Sequence, residues 1–151
     1  MSNKIADLLD DLDFFREFAY PELETVSRYL VYMRSGKGEV VFNEGDPGSH
    51  MVILVEGRMS IAKGGESGHH LLCYEGKGRI VGEMALLDRE RRSATCVAES
   101  DCEFLTLDHE GLERLAADYP SLAYRFMFCL ARLLSRRLRR TSGVLAEYLV
   151  S

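Results

Sequence analysis

Apolar and polar residues change their rhythm twice along the chain. In the first third, Ile5, Leu8, Leu9 and Leu12 fall on one face at the 3.6-residue spacing of a helix. After Pro21 a second segment carries Leu23, Val26 and Leu30 in the same rhythm, with the proline at the start where its missing N–H costs nothing. Phe14, Phe15 and Phe18 lie between the two segments and read as core packing ahead of a partner surface. Residues 1–33 are therefore predicted to form an N-terminal helical segment covering one end of a β barrel.

From Gly36 the pattern shortens, and eleven of the thirteen glycines fall between Gly36 and Gly82. Between the turns, Glu39 to Phe42, Met51 to Val55, Arg58 to Ala62 and His70 to Tyr74 read as strands, and Ala94 to Ala98 and Glu103 to Leu107 extend the series. About eight short strands at roughly 8–12-residue spacing predict a mainly β fold over residues 34–108, a double-stranded β-helix or jelly roll that closes on itself and so hides its strand edges. Asp108 then caps a helix holding Leu112, Leu115 and Ala116. Pro120 ends it, and a longer helix begins at Ser121 with Leu122, Phe126, Leu130, Leu133, Leu134 and Leu138 as its apolar stripe. The two C-terminal helices occupy residues 109–151. Five arginines between Arg132 and Arg140 read as the solvated face of the second helix rather than a nucleic-acid contact.

At 151 residues the chain fits a single domain, and 46% hydrophobic with 28% charged residues is ordinary for a globular protein. A net charge of −5 argues against nucleic acid as the main partner. No apolar run reaches the length of a membrane span, and Asp7, Asp10, Asp11 and Asp13 stand where a signal peptide would be basic and then apolar, so the expectation is a cytoplasmic protein. Cys73, Cys96, Cys102 and Cys129 show no C-x-x-C spacing and read as reduced and structural.

The stretch that carries chemistry runs from Gly82 to Thr95. A glycine lets backbone approach a ligand closely and tolerates positive φ; the following Glu-Met-Ala-Leu-Leu favours a short helix whose first amides face whatever precedes it. Arg92 adds a planar, bidentate grip suited to phosphate. Glu83 needs a hydroxyl donor rather than a second anion. The two together suit one ligand with a phosphate and a sugar hydroxyl. This string, Gly82-Glu83-x-Ala85-Leu86 followed by Arg92-Ser93-Ala94-Thr95, resembles the phosphate-binding cassette of the cyclic nucleotide-binding domain family, which includes transcription factors, kinase regulatory subunits and channels. The resemblance implies that Glu83 takes the ribose 2′-hydroxyl, Arg92 the cyclic phosphate, and the amides around Gly82, Met84 and Ala85 the rest of the cradle, with Ser93 and Ala94 beside it. It also implies a base-covering residue from the last helix, with Thr141, Ser142, Leu145 and Tyr148 as candidates. Two departures stand nearby: Arg91 where many members have proline, and Arg79-Ile80-Val81 where they have Asp-x-Phe.

The expectation is a regulatory receptor for a cyclic nucleotide, cyclic AMP ahead of cyclic GMP, with no cofactor and no metal. It is not expected to be an enzyme. Its output passes through an effector protein or through homodimerisation by the C-terminal helix; a helix-turn-helix module would need residues beyond Ser151, so DNA binding is not expected. Two rivals remain. One is an interaction scaffold of the same fold that binds no ligand. The other is a cupin-like metalloenzyme, against which the absence of an H-x-H pair counts although His50, His69, His70 and His109 can still converge in space.

Overall fold

The computed structural model describes residues 3–65 and 68–150, and its side-chain description leaves out residues 65, 69 and 144–150. The chain divides into two compact units, Met1–Arg114 and Leu115–Ser151.

In the first unit, α1 (Lys4–Asp10) and α2 (Tyr20–Ser27) are joined by a single 3-10 turn at Asp13–Phe15. Asn3 begins α1: its side chain accepts from the amides of Ile5 and Ala6 at 3.1 and 3.2 Å, two of the donors a helix start leaves orphaned. The same side chain donates to Ser27 Oγ at 2.8 Å, so the cap also staples α1 to the end of α2. Leu9, Leu12, Phe15, Phe18, Leu23 and Val26 are all buried, and Phe15 meets Phe14 and Phe18 with ring centroids 4.9 and 5.8 Å apart. The aromatic cluster packs the core, as its spacing indicated.

Eight strands follow among the described residues: β1 (Val31–Ser35), β2 (Val40–Phe42), β3 (His50–Glu56), β4 (Met59–Gly65), β5 (Gly68–Glu75), β6 (Ile80–Val81), β7 (Thr95–Ala98) and β8 (Cys102–Asp108). They form two antiparallel four-stranded sheets, ordered β1-β8-β3-β6 and β2-β7-β4-β5. This is a jelly roll. Between the sheets lie Val52, Leu54, Met59, Val81, Cys96, Ala98, Cys102 and Phe104. In β3 the residues alternating with these inward positions, Met51 before Val52 and Ile53 before Leu54, are equally buried, so the strand reads as a continuous apolar run rather than an alternation. The short helix α3 (Glu83–Asp88) interrupts the strands between β6 and β7, and α4 (His109–Asp118) follows β8 with Asp108 capping it through Gly111 N–H at 2.6 Å.

Two readings of the sequence are corrected. Residues 31–33 are not helical: Val31, Tyr32 and Met33 pair with Thr106, Leu105 and Phe104 as the first strand. Leu30, placed on the helical stripe, is the residue before that strand. Ile80 and Val81, assigned to no element, form the two-residue β6 against Ile53 and Val52.

The second unit contains the end of α4 and α5 (Pro120–Val150), which starts at the proline itself and continues through Gly143. No helix among the described residues is long and apolar enough to cross a membrane.

Leu54, fully buried between the sheets, offers a direct test of this core. Leu54→Ala is expected to lower unfolding free energy by about 2–5 kcal/mol in denaturant titrations, the range for a buried leucine whose surroundings relax only in part.

Candidate functional site

Gly82 sets the geometry of the cassette. It caps the start of α3 with φ 74° and ψ 15°, a left-handed conformation that a side chain disfavours. A Cβ at this position would also collide with the guanidinium of Arg92. Both constraints act at one residue, and they explain why the cassette opens with glycine.

Arg92 is 4% exposed. Its Nη2 donates to the His50 carbonyl at 2.7 Å and its Nη1 to the Gly82 carbonyl at 3.2 Å, while the guanidinium carbon lies 4.1 Å from the centre of the Phe42 ring. Two hydrogen bonds and one stacked face fix the plane of the charge. Burial lowers its pKa from the ordinary arginine value, and the Cys96, Asp46 and Glu83 side chains pull the other way. Glu83, 7% exposed, is thus an acidic neighbour of a buried cation. Among the described residues no buried side-chain nitrogen or oxygen lacks a hydrogen-bond partner.

The loop before β3 is clamped onto the same arginine. Arg92 N–H donates to Asp46 O and Gly45 N–H to Arg92 O, both at 2.8 Å. Gly48 closes the clamp: a Cβ there would stand 2.7 Å from Ala85 Cβ and 2.8 Å from Arg92 Nε, so only glycine lets the loop pass over the cassette. Thr95 holds the loop from the other side, its Oγ1 accepting from Glu44 N–H at 2.9 Å. Beneath this lies a row of residues in register across one sheet, Phe42 on β2, Cys96 on β7, Ile61 on β4 and Cys73 on β5. Cys96 is buried there with its thiol pushed up to about 12 mainly by burial, so it stays a neutral wall residue, whereas Cys73 is exposed.

The structure brings Gly82 and Arg92 into contact, places Gly48 against both Ala85 and Arg92, and sets Glu83 beside the arginine. Met84 is 57% exposed, Ser93 is exposed and Ala94 half-buried. Thr141 and Ser142 are exposed on α5, where the Thr141 hydroxyl donates to the Arg137 carbonyl at 3.0 Å; Leu145 and Tyr148 fall outside the described side chains. The two departures from the family pattern acquire roles. Arg91 bridges Pro47 through its backbone and donates from Nη1 to Gly45 O at 2.8 Å, tethering the loop by hydrogen bonds. Arg79 pairs with Glu75 at 2.8 Å, and Val81 joins the inner core.

Residues 33–119 match the cyclic nucleotide-binding domain. The chain belongs to that family. It is similar to the Cyclic AMP receptor protein of Thermus thermophilus, with 33% identity over 128 residues, 83% of this chain and 56% of that protein. The CRP-like cAMP-activated global transcriptional regulator of Mycobacterium tuberculosis is 30% identical over 112 residues, 74% of this chain and 48% of that one. A cyclic nucleotide-binding domain from Methylobacillus flagellatus superposes with a TM-score of 0.82 at 27% identity, over 93% of this chain and 79% of that one. The chain spans about half the length of the curated relatives it matches.

Within this cyclic nucleotide-binding domain, sequence reasoning missed three contributors. Phe42 and Gly48 were visible only as strand and turn residues. His50 enters through its carbonyl, which no side-chain pattern reveals. The His50 imidazole is also affected: burial, and then the nearby Arg92 charge, lower its pKa below the usual histidine value, with Asp108 opposing.

This geometry generates two expectations. Gly82→Ala should destabilise the fold by about 1–3 kcal/mol in chemical denaturation, since left-handed strain and displacement of Arg92 act together. For His50, the unfolded chain takes up a proton as pH drops below about 6.5 while the folded chain resists it, so stability is complete above that pH and declines below it. Melting temperatures between about pH 7 and 5 should fall less steeply in His50→Asn than in the unaltered protein; parallel slopes would show that His50 adds nothing.

Proposed function

We propose that this domain is a receptor for a purine cyclic nucleotide, cyclic AMP ahead of cyclic GMP, and not an enzyme. The observation that carries the reading is the buried pair of Glu83 and Arg92 around Gly82. Two carbonyls and the Phe42 ring orient the guanidinium before any ligand arrives. A guanidinium has five N–H groups, so two bonds to carbonyls still leave donors for an equatorial phosphate oxygen. Glu83 accepts from the ribose 2′-hydroxyl, and the amides following Gly82 complete the cradle, with Met84, Ala85, Ser93 and Ala94 around the phosphate. The preference for cyclic AMP is supported by the similar proteins from Thermus thermophilus and Mycobacterium tuberculosis, whose names carry that ligand.

The signal leaves through the C-terminal helices, to an effector protein or to a second copy of the chain joined through α5. Thr141 and Ser142 on α5 are the described candidates for covering the base, and Leu145 and Tyr148 the others. A ligand moves such a helix only through different affinities for its two positions.

Calorimetric titration with cyclic AMP and cyclic GMP tests the reading. Binding to the native state alone should add about 2.7 kcal/mol of stability at a hundredfold excess over the dissociation constant. Arg92→Leu should weaken binding by about 2–5 kcal/mol, because the phosphate would be desolvated without its counter-charge. Absence of heat and of any melting shift with both nucleotides would end the receptor reading; full affinity in a folded Arg92→Leu protein would reassign the phosphate contact. A chain ending before Thr141 should bind with less discrimination between the two bases, and an unchanged preference would remove α5 as the lid.

A further inference from the structure

The far end of α3 is tied to α4 by a histidine with acceptors on both sides. His109 Nδ1 lies 3.0 Å from the carbonyl oxygen of Leu86, and its Nε2 lies 2.9 Å from Glu113 Oε1. Neither partner has a hydrogen to offer. A neutral imidazole carries one N–H, so it satisfies one of these contacts and turns a lone pair toward the other; only the imidazolium donates to both.

What this side chain holds is the base of the cassette. Arg89 ends α3 with φ 57°, the one non-glycine residue with positive φ among those described, and its amide donates to Ala85 O at 2.9 Å. Its guanidinium reaches Glu113 Oε1 at 3.5 Å, the oxygen that His109 also meets. The backbone N–H of His109 donates to Ser49 O at 2.8 Å, one residue before the carbonyl that orients Arg92. His109 therefore touches the cassette helix and the residue that leads into the strand carrying the arginine's carbonyl partner. α3 has six residues and is about 9 Å long at about 1.5 Å per residue, too short to flex, so a release at Leu86 is felt at Gly82.

We propose that His109 is a proton-dependent positioning residue for the nucleotide site: as imidazolium it locks α3 onto α4, and nucleotide affinity falls as the proton is lost. The affinity arm rests on the receptor reading above. The charged groups at the ring are Glu113 from α4 and, through the same carboxylate oxygen, Arg89 from the end of α3; the neighbouring Asp108 at the end of β8 has its Oδ1 engaged by Gly111 N–H. With Nδ1 protonated alone, the Nε2 lone pair confronts the Glu113 carboxylate; with Nε2 protonated alone, the Leu86 carbonyl loses its donor.

Titration calorimetry with cyclic AMP between about pH 5.5 and 8.5 reads the effect. Affinity should fall about three- to ten-fold across that range, the scale of one hydrogen bond lost. His109→Gln should bind a few-fold more weakly than the unaltered protein at low pH, with a flatter profile. Glu113→Gln is the discriminating variant: its amide can donate to a neutral Nε2 while Nδ1–H keeps Leu86, so binding at high pH should return to the low-pH level. A merely structural histidine would lower affinity equally at every pH. His50 also titrates near Arg92 and is present in all three proteins, so differences between profiles isolate His109. Hydrogen-exchange protection of the α3 amides in nucleotide-free protein supplies a readout that does not depend on binding. Protection should decline with rising pH in the unaltered protein and stay level in His109→Gln. If cyclic nucleotides do not bind at all, the receptor reading fails and the exchange data alone judge the lock. Identical α3 protection profiles in the unaltered and His109→Gln proteins overturn it, as do superimposable affinity profiles in all three proteins.

Discussion

A buried positive charge organises the candidate site. Removing a guanidinium from water is expensive unless its N–H groups and its face find partners, and Arg92 obtains them from three separate places: the Gly82 and His50 carbonyls and the Phe42 ring. Meeting those demands fixes much else. The 43–48 loop must cross close above the guanidinium, which requires Gly48; α3 must begin within reach of Nη1, which requires Gly82; β2 must deliver an aromatic ring at its end. The cation therefore has a structural role of its own, apart from the phosphate contact proposed for it. A site built this way is rigid before ligand arrives, and rigidity of the anchoring groups lowers the ordering cost of binding.

Much of the β architecture was legible because glycines punctuate it so densely. Met51 to Val55 and Arg58 to Ala62 were readable as strands from apolar runs bounded by turns, and the structure extends both at their C-terminal ends. β1 was not legible. Val31 to Ser35 follows directly on a helical stripe and mixes exposed and half-buried positions without alternation, so its identity depends on pairing with β8, more than sixty residues away. β6 has two residues and no local signal; the surrounding sheet makes it a strand. The limit in both cases is that a strand is a relation between segments, and one segment shows only half of it.

The site divides in the same way. Glu83 and Arg92 were readable as candidates because their side-chain chemistry and spacing form a recurring string. The His50 carbonyl, the Gly48 passage and the Phe42 stack were not, since they express distance and direction rather than residue type. Gly82 lies between: the string called for glycine, and its left-handed φ together with the closeness of Arg92 supplies the reason.

The pairing of β1 with β8 carries a kinetic consequence. Val31 meets Thr106, and the strand between them in time, β3, also waits for β8 on its other edge. A chain emerging from the ribosome must therefore hold β1 without a partner, and β3 with one edge open, until residues 102–108 are made, and loop closure over that span is slow compared with helix formation. Arg92 reaches His50 across forty-two residues, so the charge too is seated by a non-local contact. Until residues 102–108 are made the molecule exposes unpaired edges of β1 and β3, and a fragment ending before Cys102 would lack the strand that joins β1 to β3.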